Sequence, residues 1–271
     1  MHSIPIAQKK EFFSETLNSG RFVIEPLFPG YGLTIGNALR RVLLSSLEGV
    51  AITFMRLKGV DHEFSALPGV KEDVVDIILN LKQIRFEVDG NFEEPIKMEL
   101  KTKGVKVVTA GDFKKVAGVK IANPELIIAN IVDAKGEFEL EIWLERGHGY
   151  LPTEMMTTRD KEIGMIAVDA FFSPIKKVAL DVENMRVGDM TNWDRLIMHI
   201  ESDGTIMPEE ALTKAAGILV EQFSFFVESK KIIKKEDATE TEETALETET
   251  TEDSTIAEDK PKKRGRKKKE E

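Results

Sequence analysis

The sequence predicts an α+β protein: a strand-rich middle, a few well-defined helices and a polar tail. Three observations carry this. Phe138, Leu140, Ile142 and Leu144 alternate with Glu137, Glu139, Glu141 and Trp143, the two-residue period of a half-buried strand. Residues 34–47 and 208–227 instead repeat apolar side chains at i, i+3, i+4 and i+7, the stripe of an amphipathic helix. Strands and helices do not alternate strictly, which fits α+β better than a doubly wound sheet.

Taken in order, residues 21–26 (RFVIEP) read as a strand that runs into a glycine-rich turn, Gly30-Tyr-Gly32. The helix over 34–47 follows, with Thr34 as its expected N-cap. Residues 51–57, 96–100 and 105–108 read as further strands, separated by Gly, Pro, Asn and Asp turns. A second helix is expected over 71–81 and the last over 208–227. No internal repeat is visible.

A strand, a glycine pair and a helix form the right context for a dinucleotide turn. The spacing excludes it: Ile35 stands where the third glycine belongs, and Lys58 where a ribose-binding carboxylate would be expected. No Gly-Lys-Ser/Thr loop exists. The helix that follows has one apolar face, Ile35, Ala38, Leu39, Val42, Leu43 and Ser46. Opposite it Leu44 is flanked by Arg40 and Arg41. That far face is either solvated surface with one exposed leucine or a contact surface, an apolar anchor between guanidinium forks. The last helix poses the question more strongly. Leu212, Ala215, Ala216, Leu219, Val220, Phe223, Phe226 and Val227 form its stripe, with Ile218 and Phe225 outside it. It is either a two-sided core helix or one whose apolar surface exceeds what its own chain can cover.

Composition narrows the classes. The net charge of −10 gives no global attraction to nucleic acid. With no cysteine among 271 residues, disulfides, thiol catalysis and thiolate metal sites are excluded. His2, His62, His148 and His199 are scattered without ligand spacing, so no metal, cofactor or catalytic set is expected. No apolar run is long enough to span a bilayer, and a cytoplasmic protein is expected. From Glu236 to Asp259 the text is nearly all Glu, Asp, Thr, Ser and Ala, and it then turns into KPKKRGRKKK. Neither block can bury enough apolar surface to offset the entropy of ordering, so 232–271 is expected to be a disordered, acidic then basic tail.

At FVIEPL…GYGLTIGNALRRVLLSSLEG, GVDHEFSALPGVKEDVVDIILNLK and ANPELIIANI, the chain resembles the N-terminal part of the bacterial RNA polymerase alpha subunit. GHGYLP, IGMIAVDAFFSPIKKVALDVENMRVG and WDRLIMHIESDGTIMPEEALTKAAGILVEQF extend the resemblance in order through 1–231. It implies a non-catalytic assembly scaffold: a homodimer that binds the beta and beta-prime subunits of DNA-directed RNA polymerase. It also implies a discontinuous dimerisation subdomain, 1–49 with 171–231, and an inserted strand-rich subdomain, 50–170. The implied dimer contacts are Ile35, Leu39, Val42, Leu43, Leu212, Leu219, Phe223 and Phe226. Those for beta are Arg40, Arg41 and Leu44, with His62, Glu72 and Asp73 from the 62–82 segment. Those for beta-prime are Ser173, Lys176, Lys177 and Arg186.

Two departures from the family pattern stand out. Met207 precedes Pro208-Glu-Glu where relatives often place a capping Asp, which forgoes about 1 kcal/mol. The family's second domain, which binds A+T-rich promoter DNA, has no counterpart in the polar tail, so that DNA contact is not carried over. The run Lys262-Lys-Arg-Gly-Arg-Lys-Lys-Lys269 is either a solvated tail or a weak likeness of an AT-hook. In the second case Arg264 and Arg266 would meet a narrow minor groove.

Overall fold

The computed structural model describes residues 4–90, 92, 94–134, 136–156 and 164–246. A hairpin of β1 (Lys9–Thr16) and β2 (Ser19–Leu27) leads into α1 (Tyr31–Ser45) and then β3 (Glu48–Leu57). Next come α2 (Val74–Leu81), β4 (Phe86–Val88), β5 (Ile96–Lys103), β6 (Lys106–Thr109), β7 (Val119–Ile121), β8 (Ile127–Ile131) and the long β9 (Glu137–His148). Three two-residue strands follow, β10 (Tyr150–Leu151), β11 (Ile166–Ala167) and β12 (Ala170–Phe171). A second hairpin, β13 (Ile175–Val187) with β14 (Met190–Ser202), precedes α3 (Pro208–Leu246). The architecture is α+β, as the periodicities predict.

Two antiparallel four-stranded sheets organise the chain, ordered β1-β2-β14-β13 and β11-β3-β9-β5. In the first, Phe22 pairs with Met198 and Val23 with Ile197, and α1 lies over β13 and β14. This core holds Phe22, Leu39, Leu43, Leu196, Met198, Ile200, Ala211, Leu212 and Ala215. The second sheet backs onto α2 in a larger core that includes Ile77, Leu81, Leu100 and Ile128. Phe138, Leu140, Ile142 and Leu144 of β9 are all fully buried, the face that alternation predicts. Their neighbours Glu137, Glu139 and Glu141 form a ladder of ion pairs with Lys58, Lys97, Lys101 and Lys103. A third cluster, Ala51, Phe54, Met156, Ala170 and Phe172, occupies the strand ends around β3.

Three helix ends differ from expectation. α1 starts at Tyr31, so Thr34 lies inside it and its hydroxyl donates to the Gly30 carbonyl, 3.1 Å; the cap comes from elsewhere. α2 starts at Val74 because the residues before it are drawn to the edge of β8. Val70 bridges Ile131, the Lys71 N–H donates to the Asn130 carbonyl at 3.0 Å, and the Glu72 carboxylate accepts from both Asn130 N–H groups. α3 begins at Pro208, where the missing N–H costs nothing. Its backbone is helical to Leu246 rather than to 227, through a stretch rich in Lys, Glu and Ala, which are strong helix formers. The boundary at 232 and the acidic block from Glu236 thus begin within this helix. The chain is one compact unit to Glu221, with Gln222 onward a unit of its own.

Candidate functional site

The glycine turn before α1 does hold an anion, and the anion is internal. Gly30 has φ +84°, the left-handed region that favours glycine. Its N–H and that of Gly32 both donate to Asp194 Oδ2 on β14, each at 2.9 Å. Asp194 is buried, so its carboxylate sits at the positive end of the helix, where a phosphate would bind in a nucleotide enzyme. Gly32 and Gly36 serve packing. A Cβ at Gly36 would come within 2.4 Å of Leu180 Cδ1, and one at Gly32 within 2.9 Å of both Asp194 Cβ and Val182 Cγ1. The helix lies directly on the β13–β14 hairpin, which leaves no cradle for a nucleotide.

With that side fixed, α1 shows three stripes. Gly32, Gly36, Leu39 and Leu43 are buried. Ile35, Ala38 and Val42 are half-buried, while Leu33, Arg40, Arg41 and Leu44 are exposed. Of the expected dimer residues, Leu39 and Leu43 are therefore spent in the chain's own core, because they share a helix side with the two packing glycines, and Leu212 of α3 is buried in that core as well. Ile35, Val42 and Leu219 stand at its rim. Phe223 and Phe226 are 61% and 71% exposed, with Val220, Phe225 and Val227 beside them in sequence and exposed to the same degree. α3 thus seats Ala211, Leu212 and Ala215 in the core and leaves its later apolar side chains uncovered.

A second exposed group lies before and along α2. His62 and Asp73 are on the surface, and Phe64, Val75 and Leu79 are apolar and exposed. Glu72 is engaged internally: its two oxygens accept from the Asn130 N–H and Nδ2, both at 2.6 Å. Burial opposes its charge, but these donors outweigh burial and hold the carboxyl below its usual range. Asp169 is lowered likewise, first by the Thr153 N–H at 3.0 Å, then against burial with help from Lys82 at 3.2 Å.

Both folded pKa values lie below the unfolded ones, so this stability is present above pH ~4 and lost as pH falls through the folded values. Urea midpoints should decline as pH falls below about 5. Glu72→Gln should lower the midpoint at pH 7 and flatten the acid decline; an unchanged pH profile would refute this assignment.

Of the expected beta-prime residues, Lys176 and Lys177 are exposed at the start of β13. Arg186 is exposed near the end of that strand, where its Nε donates to the Gly188 carbonyl at 2.8 Å. Ser173 is buried, with its hydroxyl against the Ile175 backbone; it shapes the turn into β13 and offers no side chain to a partner. Arg264 and Arg266 lie outside the described residues. Among the described residues no group of three His, Asp or Glu side chains could hold a metal ion, and no helix is long and apolar enough to cross a membrane.

Sequence reasoning missed two features. One is Asp194, for which a signal existed: Asp194, Leu196, Met198, Ile200 and Ser202 share the buried phase of β14, and a carboxylate in that phase requires a partner. The other is a ring cluster of Phe28, Tyr31 and Trp193, of which Trp193 is remote in sequence from the other two.

Known proteins resemble this chain along most of its length. The model of the RNA polymerase Rpb3/RpoA insert domain matches residues 50–173. The DNA-directed RNA polymerase subunit alpha of Flavobacterium psychrophilum is 45% identical over 224 residues, covering 82% of this chain and 68% of the relative. That of Carboxydothermus hydrogenoformans is 46% identical over 222 residues, covering 81% and 70%. The chain belongs to the family of DNA-directed RNA polymerase alpha subunits and is a subunit of that enzyme complex.

Proposed function

We propose that the chain homodimerises and that the dimer scaffolds assembly of the beta and beta-prime subunits, contributing no catalytic group itself. The observation that carries this is the uncovered end of α3. Val220, Phe223, Phe225, Phe226 and Val227 are all more than 60% exposed, and burying each large side chain is worth about 1.5–3 kcal/mol. Ile35 and Val42 of α1 and Leu219 of α3, half-buried at the rim of the first core, add apolar surface of their own. On the far side, Arg40, Arg41 and Leu44 form the beta contact together with Phe64, Val75 and Leu79. Lys176, Lys177 and Arg186 form the beta-prime contact. DNA is met through the assembled enzyme, and weakly through Arg264 and Arg266 of the basic run. The reading carries a cytoplasmic location with it.

Sedimentation of the full chain tests it. The parent should weigh as two 30.4-kDa chains, and Phe223→Glu with Phe226→Glu should weigh as one. Arg41→Ala should stay dimeric yet lose most of its capture of the beta subunit. A parent that is monomeric at micromolar concentration would overturn the scaffold reading.

A further inference from the structure

A two-lobed cleft opens where the start of β3, the end of β9 and the first turns of α3 meet. One lobe, of about 290 Å³, is mostly polar and holds Glu87, Asp89, Arg146, Thr205 and Glu210. The other, of about 340 Å³, is mostly apolar, with Leu47, Ile206 and Ile218 on its walls. Glu48, Ile206 and Lys214 line both lobes, so the two are continuous. None of the residues proposed above for the dimer, beta or beta-prime contacts lines either lobe.

Two features of the lining point to a small occupant. Gly217 lies inside α3 and lines the apolar lobe, yet a Cβ there would meet nothing within 4 Å. A glycine within a helix gives up stability relative to alanine, and no packing against its own chain accounts for this one. It keeps the wall of the lobe open instead. The second feature is charge at the junction of the lobes. Glu48 and Lys214 are opposite in sign but do not pair with each other. Glu48 has Arg146 at 3.7 Å and His148 at 3.5 Å, and Lys214 has Glu210 at 2.8 Å. Glu48, Lys214 and Glu210 are each more than half exposed, so these pairs are weak and exchange partners at little cost.

The chemistry that answers this lining is a zwitterion on an aliphatic body. A pure cation would meet Lys214 and Arg146, and a pure anion would meet Glu48, Glu87, Asp89 and Glu210. An α-amino acid carries an ammonium for Glu48 and a carboxylate for Lys214 on one carbon, and its side chain fills the lobe beside Gly217. Ser46 and Leu47, just past α1, line that lobe, and α1 has no basic residue in its last turn. The ammonium therefore also meets an unopposed negative end of the helix dipole. The volume of the apolar lobe suits a small molecule.

We propose that the cleft binds a free α-amino acid with an aliphatic side chain, its head group between Glu48 and Lys214 and its side chain against Leu47, Ile206, Ile218 and Gly217. The site stands whether or not the scaffold reading holds, because every residue in it belongs to one chain.

Saturation-transfer NMR on the full chain tests it, with L-leucine as the probe. L-leucine should bind saturably with a dissociation constant on the order of 1 mM or tighter. Glycine, 3-methylbutylamine and 4-methylpentanoate, which lack the side chain, the carboxylate and the ammonium in turn, should each bind about tenfold more weakly or worse. Glu48→Gln and Lys214→Met should each weaken L-leucine about tenfold. Gly217→Leu fills the apolar lobe and should abolish binding, with native circular dichroism and an unfolding temperature no lower than the parent's, since the added side chain enters open space. Absence of saturable L-leucine binding would overturn the site. So would undiminished binding to Gly217→Leu, and 3-methylbutylamine binding as tightly as L-leucine would overturn the zwitterion assignment.

Discussion

Asp194→Ala is expected to lower the unfolding free energy by about 3–5 kcal/mol, a large share of the 5–15 kcal/mol typical of a folded domain. The carboxylate accepts from the Gly30 and Gly32 N–H groups at 2.9 Å each, and hydrogen bonds to a charged partner contribute roughly 1.5–3 kcal/mol apiece. Removing it leaves two donors without an acceptor at a part-buried helix terminus, and it deletes the negative charge that the helix dipole favours there. Asp194→Asn keeps an acceptor of the same shape and should cost about half as much. Glutamate should not rescue, because Gly32 already lies against the Asp194 Cβ and no room exists for another methylene. Urea unfolding followed by circular dichroism measures all three variants. A loss under about 1 kcal/mol for alanine would show that water satisfies those amides and that the cap is dispensable. Because Asp194 sets how α1 meets the β13–β14 hairpin, the same variant should also weaken self-association.

The second large effect concerns the closure of the segment over 50–173. Residues 50–173 match the insert-domain model, and the backbones at its two boundaries touch. Gly49 pairs with Gly147 across β3 and β9, and Phe172 lies over the pair, with its N–H donating to the Gly149 carbonyl at 2.8 Å. A Cβ at Gly49 would stand 1.8 Å from the Phe172 carbonyl oxygen, while one at Gly147 would stand 2.8 Å from the Phe172 ring. The two clashes differ in kind. Gly49→Ala opposes main chain, so it should cost about 3 kcal/mol or more and lower soluble yield whatever side chain occupies 172. Gly147→Ala opposes only a ring and should cost about 1–3 kcal/mol. Phe172→Ala alone should cost about 3–5 kcal/mol. In its presence Gly147→Ala should become nearly free while Gly49→Ala keeps its full penalty, a contrast that a double-mutant cycle reads directly. Equal rescue of both glycines would contradict the backbone contact.

The strands were legible because alternation is local. β9 shows its buried face in eight consecutive residues, and no distant group changes which side of a pleat they occupy. The apolar stripe of α3 was legible as well, but the sequence left open whether it was two-sided core or surplus; the exposure of Phe223, Phe225, Phe226 and Val227 decided for surplus. Helix starts were less so. Thr34 is a sound cap by composition, yet Asp194, 162 residues from Gly32, took that role. Glu72 and Asp73 were expected inside the second helix and, by resemblance, at the beta contact, yet Asn130 claimed the first of them.

From its residues alone the chain determined its α+β class, the polarity of each strand face, the absence of thiol chemistry and the apolar stripe of its last helix. Those properties depend on neighbours a few positions apart. Only the folded arrangement decided which leucines of α1 face inward, that the glycine turn is occupied by the chain's own carboxylate, and that Phe28, Tyr31 and Trp193 form one surface. Each of these requires groups brought together across a sheet, where the partner is chosen by three-dimensional packing and by the cost of leaving a buried amide or charge unanswered.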